Sequence, residues 1–399
     1  MMQINFVINY TGFAGGTGTL SIHLSKYLLD KGHNVYFLYR KIDDIDNYNK
    51  LKKYGVNLLK FEKNSITDQS FIHFDSKFFF ISYSFIQYIE MVMLTQSRKN
   101  ITNLLYIVHP SNGIPKNKIG RLIYRYLFSS VIARMNSNGL LLLMDNYCRQ
   151  SYCELYRGKT IGTDNVLLLP YAISDATSIV FEKSDDTNIR LLTIARAEFP
   201  FKGYIFGLIK QIVILSTENP TIKLQIIASG EQERDLQAEI DKIPTDFRNC
   251  VEFVGRVPYE KLADYFKSTD LYIGMGTTVL DAANHGIPAL VVNSYTYESE
   301  TFGYFSDNPT ELAAMNGDTV HTDVFIREFI RKSPKEREAL GKASYEALKA
   351  HYSDRFFLKK LFEIFEKSSS IELSLKERIG IKLLLVYYKL RGTLKGFIK

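Results

Sequence analysis

Short apolar runs alternate with helix-patterned stretches twice along this chain, and that double alternation limits its fold more than any other feature. In the first series Gln3–Asn9 reads as a strand and Gly12–Gly18 as a tight turn. Thr19–Lys31 then carries Leu20, Leu24, Tyr27 and Leu28 at helical spacing, Gly32–Asn34 ends the helix, and Val35–Tyr39 is the next strand. This is a βαβ unit. Strands at Val56–Phe61, Phe78–Ile81, Leu104–His109, Gly139–Met144 and Val166–Pro170, with helices at Ser84–Ser97, Ile119–Met135 and Tyr147–Tyr156, continue it. Ser174–Asn188 is polar, acidic and aperiodic, and reads as a linker. The second series has strands at Arg190–Ala195, Lys223–Ala228, Val251–Val254, Leu271–Gly274 and Ala289–Val292. Its helices are Phe206–Ser216, Glu231–Lys242, Tyr259–Ser268 and Val279–His285. After Asn293 the pattern is less regular up to Asp323; Ser333–His351 and Ser353–Lys367 then read as helices. The expected fold is α/β: two Rossmann-like parallel-sheet domains, 1–175 and 186–350, facing a cleft at the C-terminal ends of their strands.

Composition agrees. The 399 residues are 46% hydrophobic and 23% charged, which suits a globular chain with material for two cores. No window of about 18 uncharged apolar residues occurs, and the longest apolar stretch, Phe71–Thr95, is broken by Asp75, Lys77 and Glu90. No transmembrane helix is expected. The N-terminus lacks the basic and apolar regions of a signal peptide, so a cytoplasmic protein is expected. Cys148, Cys153 and Cys250 include no CxxC spacing and read as reduced thiols rather than a metal site. The formal charge is +7, and residues 371–399 hold +5 of it through seven cations and two acids. A nucleic-acid binder would spread its basic residues over a folded face; here they gather at one end, and no nucleic-acid partner is expected.

Two segments carry the chemistry. Leu191–Gly203 reads as a buried strand ending in Arg196, then a turn and Lys202-Gly203 at a helix start. Asp270–Val292 reads as a strand, a Gly/Thr loop, a helix start with Asp281, and Gly286-Ile287-Pro288 leading into another strand. Two cations and a Gly/Thr loop at strand ends suit the phosphates of a nucleotide, and an acid near a helix start suits a ribose or sugar hydroxyl. A departing nucleoside diphosphate develops negative charge, which a pair of cations stabilises without a metal. The glycines at 12, 15, 16 and 18 do not spell G-x-G-x-x-G, and the second strand ends at Arg40 rather than an acid, which argues against NAD. NADP with Arg40 and Lys41 on its phosphate stays open from the turn alone but leaves the second domain's motifs unexplained. Asp44 with Asp46, and Asp185 with Asp186, sit in polar loops without the preceding strand a metal pair needs. His23, His33 and His285 read as helix-face or turn residues.

Taken in order, GFAGGTGTLSIHLSKYLLDKGHNV, RAEFPFKG, KLQIIASGEQE, VEFVGRVPYEKLADYFKSTDLYI and LDAANHGIPALVV resemble the GT-B glycosyltransferases. Within them they resemble the retaining family 4, the glycosyl transferases of group 1. The resemblance runs from the N-terminus to the neighbourhood of Lys367 and is specific for the fold and superfamily, not for the sugar. It implies C-terminal helices, 351–399, that cross back to the first domain. It implies an acceptor-binding first domain whose Gly15 and Gly16 face the donor phosphates, and a nucleotide-sugar-binding second domain. There Arg196 and Lys202 would bind the diphosphate, while Gly276, Thr277 and Thr278 would donate to phosphate and sugar. Asp281 would stand at the second acid of the family's paired-glutamate motif, which holds the ribose. His109 would match the histidine that touches the donor sugar, so His109, Arg196 and Lys202 are the implied catalytic residues. No metal and no cofactor beyond the donor are implied. Two departures stand out: Ile273 occupies the place of the first acid, and Asp281 is a shorter carboxylate than Glu. The donor-sugar contact is then missing or supplied elsewhere, for which Glu298 and Glu300 are candidates.

The implied reaction moves a hexose from a nucleotide diphosphate sugar, UDP first and GDP second, to a glycan or lipid-linked oligosaccharide. Retention of configuration and a place in bacterial surface polysaccharide assembly, capsule or lipopolysaccharide, come with the resemblance. The missing first acid keeps a second class open, a GT-B-like protein that binds a sugar or a partner without turnover. A sugar-nucleotide epimerase on the same fold is a third. Leu375–Lys399 interleaves Ile379, Leu383, Leu384, Leu385, Val386 and Leu390 with Arg378, Lys382 and Lys389. It reads either as a terminal helix packed on the first domain or as an interfacial helix on an anionic membrane. Lys116, Lys118, Arg121 and Arg125, interleaved with Ile119, Leu122, Ile123 and Tyr126, form a second such patch. Together they favour peripheral contact with the inner face of the cytoplasmic membrane.

Overall fold

The structure, a computed structural model, describes residues 3–62, 65–66, 76–95, 98, 100–109, 118–156, 161–168, 170, 171, 173, 188–313, 318–367 and 371–383. The chain divides into two compact units, Met1–Pro170 with Arg355–Lys399, and Tyr171–Asp354.

The first unit runs β1 (Asn5–Asn9), α1 (Gly15–Asp30), β2 (Asn34–Tyr39), α2 (Ile45–Tyr54), β3 (Asn57–Glu62), β4 (Ser65–Ile66), β5 (Phe78–Ser82), α3 (Phe85–Thr95), β6 (Ile101–Ile107), α4 (Lys118–Ser137), β7 (Leu141–Leu143) and α5 (Asn146–Leu155). Among the described residues its strands form one sheet in the order β4-β3-β2-β1-β5-β6-β7, parallel except for the β3–β4 pair. Central β1 is apolar on both faces because helices cover both: Phe6, Val7 and Ile8 are fully buried. Helix α1 begins at Gly15, so Gly15, Gly16 and Gly18 belong to its opening turn rather than to a separate loop. The strand expected at Leu104–His109 ends at Ile107, which leaves His109 just past it. Among the described residues of 166–170 no strand forms; Val166 makes an isolated bridge to Leu143. The expected linker, apart from Asn188, lies outside the described residues.

The second unit runs β8 (Ile189–Arg196), α6 (Tyr204–Glu218), β9 (Ile222–Ser229), α7 (Glu233–Ile240), β10 (Val251–Phe253), α8 (Leu262–Lys267), β11 (Leu271–Gly274), α9 (Thr277–Asn284), β12 (Ala289–Val292), β13 (Glu300–Tyr304), β14 (Val320–His321), α10 (Thr322–Arg331) and α11 (Pro334–Tyr352). Its sheet has the order β10-β9-β8-β11-β12-β13-β14, parallel through β12 and antiparallel beyond. The irregular stretch after Asn293 thus holds the two antiparallel strands and the start of α10. Helix α11 opens with a reciprocal cap: the Ser333 hydroxyl accepts from the Glu336 amide, the Glu336 side chain accepts from the Ser333 amide, and Pro334 fills the first helical position.

The chain then returns to the first unit. Helix α12 (Asp354–Lys367) buries Phe357, Leu361 and Phe365 in the first core. Phe365 meets Phe79 edge-on at 5.6 Å, and Phe362 meets Phe6 at 6.1 Å. A further helix, α13 (375–383), lies on α4. Its buried Glu377 accepts from Ser130 Oγ (2.6 Å) and Arg134 Nη2 (2.8 Å), and Ile381 is fully buried. Gly380 faces Leu127, where an added Cβ would stand 2.8 Å from Cδ2. The remainder of the basic tail, 384–399, lies outside the described residues.

Candidate functional site

In the second unit the cationic segment sits where a central strand stops. Arg196 closes β8, and the turn after β9 braces residues 197–199 just beyond it. The Ala197 amide donates to the Ser229 carbonyl (2.9 Å), the Gln232 amide to the Ala197 carbonyl (3.3 Å), and the Phe199 amide to Gln232 Oε1 (2.6 Å). Arg196 is exposed and pairs with Glu198 at 3.4 Å. Lys202 differs: it is 9% exposed, its ammonium donates to the Met275 carbonyl (3.3 Å), and it lies 5.1 Å from the centre of the Phe201 ring. Among the described residues it has no ion pair. Burial, and then the Arg196 charge, lower its pKa to about 7 against a weaker pull from Glu198. A buried ammonium whose one hydrogen-bond acceptor among the described residues is a carbonyl is poised for an anion.

That carbonyl belongs to the loop ahead of α9. Gly276 caps the helix at φ +80, and a Cβ there would point at Lys202 Nζ from 4.0 Å. Lys202 and the 275–278 turn are therefore brought together, and Arg196 lies near enough for its charge to act on Lys202. Within the turn the donors are not all available. The Gly276 amide donates to the Leu312 carbonyl (2.6 Å), and the Thr278 hydroxyl accepts from Tyr272 (2.5 Å) and lies 3.3 Å from the Met275 carbonyl. What is left for an anion is the opening turn of the helix, with the Thr277 and Thr278 amides and the exposed Thr277 side chain.

Asp281 is the fifth of eight residues in α9 and is buried. Its Oδ1 accepts from the Tyr171 hydroxyl (2.5 Å) and the Tyr259 hydroxyl (3.1 Å). Burial raises its carboxyl above the ordinary range, and the two tyrosine hydroxyls pull the other way. One oxygen of the expected ribose-binding acid is thus committed to the protein, so a ribose hydroxyl must share it or use the other. His285 keeps its modest role, with Nδ1 2.8 Å from the Asp281 carbonyl and its ring stacked on Phe266. Ile273 is fully buried in β11, so nothing at the first acid position reaches a ligand.

In the first unit Gly15 and Gly16 are exposed and have open space at their Cβ positions, with Gly15 at φ +77. The turn leading to them is organised by a residue that sequence reasoning passed over. Asp43 Oδ1 accepts from the amides of Phe13 (2.6 Å) and Ala14 (3.1 Å). Burial alone would raise its carboxyl, yet the Phe13 amide, the Lys41 ammonium and the Ala14 amide together hold it below the ordinary range. Asp44 caps α2 by accepting from the Asn47 amide, a structural use of an acid that sequence alone could offer to a metal. His109 follows β6, half-buried, and its charge acts on Asp145, the buried cap of α5. Arg125 is not a free surface cation, since Nε donates to the Leu155 carbonyl at the end of α5 (2.7 Å).

Two parallel-dominated sheets, charged and glycine residues past their strand ends, and C-terminal helices returned to the first unit define the GT-B fold. No protein-family model matches the chain. An uncharacterized glycosyltransferase of Haemophilus influenzae is 22% identical over 317 residues, which is 73% of this chain and 81% of that protein. A glycosyltransferase of Rickettsia africae matches with a TM-score of 0.66 at 13% identity, over 91% of this chain and 98% of that one. Staphylococcus aureus TarM, in a complex with fondaparinux, α-GlcNAc-glycerol and UDP, matches with 0.62 at 12% identity, over 92% and 100%. Anabaena HepE, in a complex with UDP and glucose, matches with 0.62 at 10% identity, over 91% and 100%. The chain is a GT-B protein that resembles glycosyltransferases in sequence and in fold.

Proposed function

We propose that this GT-B protein is a glycosyltransferase that moves a hexose from a nucleotide diphosphate sugar to a glycan or lipid-linked oligosaccharide. The observation that carries the reading is the buried Lys202 ammonium, set against the loop that opens α9 with Arg196 nearby. Such a group is suited to a diphosphate and to the charge that develops as it leaves. UDP is the first choice of nucleotide and GDP the second, in keeping with the UDP bound by TarM and HepE. In the proposed step the acceptor oxygen bonds to the anomeric carbon on the face the diphosphate leaves. The departing oxygen keeps the bonding electron pair and takes the acceptor's proton, so configuration is retained. Arg196 and Lys202 supply the positive charge for which other enzymes recruit a metal. Gly15, Gly16 and His109 are assigned to donor phosphates and donor sugar, and Asp281 to the ribose.

A membrane setting rests on a separate observation. Leu122, Ile123 and Tyr126 on α4 and Leu375, Ile379 and Leu383 on α13 are all exposed, Leu375 at 73%. The Lys376 ammonium lies 4.5 Å from the centre of the Tyr126 ring, with Lys118, Arg121 and Lys382 on the same two helices. Apolar anchors among cations suit an anionic lipid surface. No helix among the described residues is long and apolar enough to cross a membrane. Peripheral contact at the inner face, in bacterial surface polysaccharide assembly, is the setting proposed. The test is calorimetric titration of UDP and GDP into wild type and into R196A/K202A. Binding of one nucleotide that the double variant loses supports the donor site. A folded wild type that binds neither overturns it and leaves a non-catalytic sugar- or partner-binding protein.

A further inference from the structure

The loop after β12 carries Tyr295 and Tyr297, exposed at 47% and 50%. Single exposed aromatics need no explanation, but this pair is held in place by unusual backbone. Tyr295 has φ +60, the one non-glycine residue in the left-handed region among the described residues. That conformation is strained for a residue with a side chain and persists only where the surroundings over-determine it. They do so here. The Tyr295 amide donates to the Phe201 carbonyl (3.2 Å). The loop presses so closely on the start of α6 that a Cβ at Gly203 would stand 2.5 Å from the Thr296 carbonyl oxygen, and one at Gly207 2.3 Å from the Ser299 nitrogen. Both exposed rings are backed by others: Tyr295 lies 5.0 Å from Phe201, and Tyr297 lies 5.4 Å from Phe206.

Beside this shelf is the half-exposed carboxylate of Glu198; burial, and then this charge, push the Tyr295 phenol above its ordinary range. The combination has a chemical meaning. A pyranose ring offers a face of C–H bonds, which an aromatic face attracts through its negative quadrupole, and a rim of hydroxyls, which a carboxylate accepts. A nucleobase would gain from the rings but presents the acid with fewer donors than the hydroxyl rim of a pyranose.

We propose that Tyr295 and Tyr297, backed by Phe201 and Phe206 and flanked by Glu198, form a saccharide-binding subsite that takes a pyranose ring of the glycan acceptor. The proposal deepens the reading of the chain as a glycan-modifying enzyme and rests on it for the identity of the occupant. Saturation-transfer NMR tests it with chitohexaose, maltohexaose and a heparin hexasaccharide as probes. Wild type, Y295A/Y297A, Y295F and R196A/K202A are compared, each checked for an unchanged melting profile. Saturation of the ring protons of at least one probe is expected with wild type, Y295F and R196A/K202A, falling at least fivefold with Y295A/Y297A. UDP affinity should be the same in wild type and Y295A/Y297A. No saturation of any probe by wild type, or equal saturation by Y295A/Y297A, overturns the subsite. Because R196A/K202A is included, loss of the donor reading shows separately, as failed UDP binding with oligosaccharide binding intact.

Discussion

Nucleotide binding to this protein should take up a proton, and the proton should go to Lys202. The ammonium is buried, faces a carbonyl, and has a pKa lowered to about 7. At pH 8 it is then about one-tenth protonated, while the terminal phosphate of UDP, which titrates near 6, is fully ionised. A diphosphate placed beside Lys202 restores its charge. Calorimetry at pH 8 in buffers of different ionisation enthalpy should therefore report uptake of about 0.9 proton per UDP bound. Affinity should fall about 50-fold from pH 7 to pH 9, as the free protein loses the proton that the complex retains. The K202M variant lacks both effects. A cation about 4 Å from a phosphate at an effective dielectric of about 20 gains about 4 kcal/mol, so K202M should bind UDP roughly 100-fold or more weakly. The same burial acts on stability with a definite sign. Between pH 7 and 10.5 the unfolded chain binds the proton and the folded protein does not, so wild-type stability rises with pH across that window. K202M should melt above wild type at pH 6, the gap closing toward pH 10. Uptake below about 0.2 proton at pH 8, or the same uptake in K202M, would refute the reasoning.

Gly18→Ala should destabilise the first unit by about 2 kcal/mol or more in urea titration, because the new Cβ would stand 2.1 Å from the Phe13 carbonyl oxygen, which is backbone and cannot swing away. Glu377→Ala should cost about 2 kcal/mol and speed protease cleavage within α13, since it strips Arg134 and Ser130 of their shared acceptor. Burial raises Glu377, but Arg134 and the hydroxyl and amide donors outweigh it and lower its pKa to about 2, so this contribution is complete above pH 4.5 and fades as pH falls toward 2. Asp281→Ala should cost about 1–2 kcal/mol by removing the acceptor that the Tyr171 and Tyr259 hydroxyls share. Asp281→Asn keeps an acceptor for both; because burial raises the native carboxyl, wild type loses stability as pH climbs above 3.8, and the Asn variant should lack that slope.

The strand ends and their cations were legible because parallel strands buried on both faces leave plain apolar runs, and RAEFPFKG follows one of them directly. Helix α2 was not, since IDNYNKLKKY buries only Leu51 and shows no apolar stripe. Strand β13, with Gly303 inside it and antiparallel partners, breaks the pattern of the strands before it. The sequence offered candidate residues for a site but not the partners those residues have in the fold. Asp281 is reached by Tyr171 from 110 positions away, and the glycine turn by Asp43 from 30. Which acid serves a ligand and which serves a neighbouring hydroxyl or amide is decided by long-range packing, to which motif spacing is blind. Tyr259 did lie within a recognised segment, VPYEKLADYF, but nothing in that pattern points its hydroxyl at α9.

The first unit opens with the first strand of the chain and closes with helices that come last. Phe357, Leu361 and Phe365 complete a core that Phe6 and Ile8 begin. On the ribosome, at about 5–20 residues per second, the intervening segment from Tyr171 to Asp354 takes roughly 10–40 seconds to appear. That segment is continuous and holds all the strands of its own sheet. The later-made unit is thus free to fold first, while the earlier one waits with an apolar wall of its sheet uncovered. Substitutions in α12 should show their damage in the half of the protein that was translated before them, and the nascent chain is most in need of a chaperone during that interval.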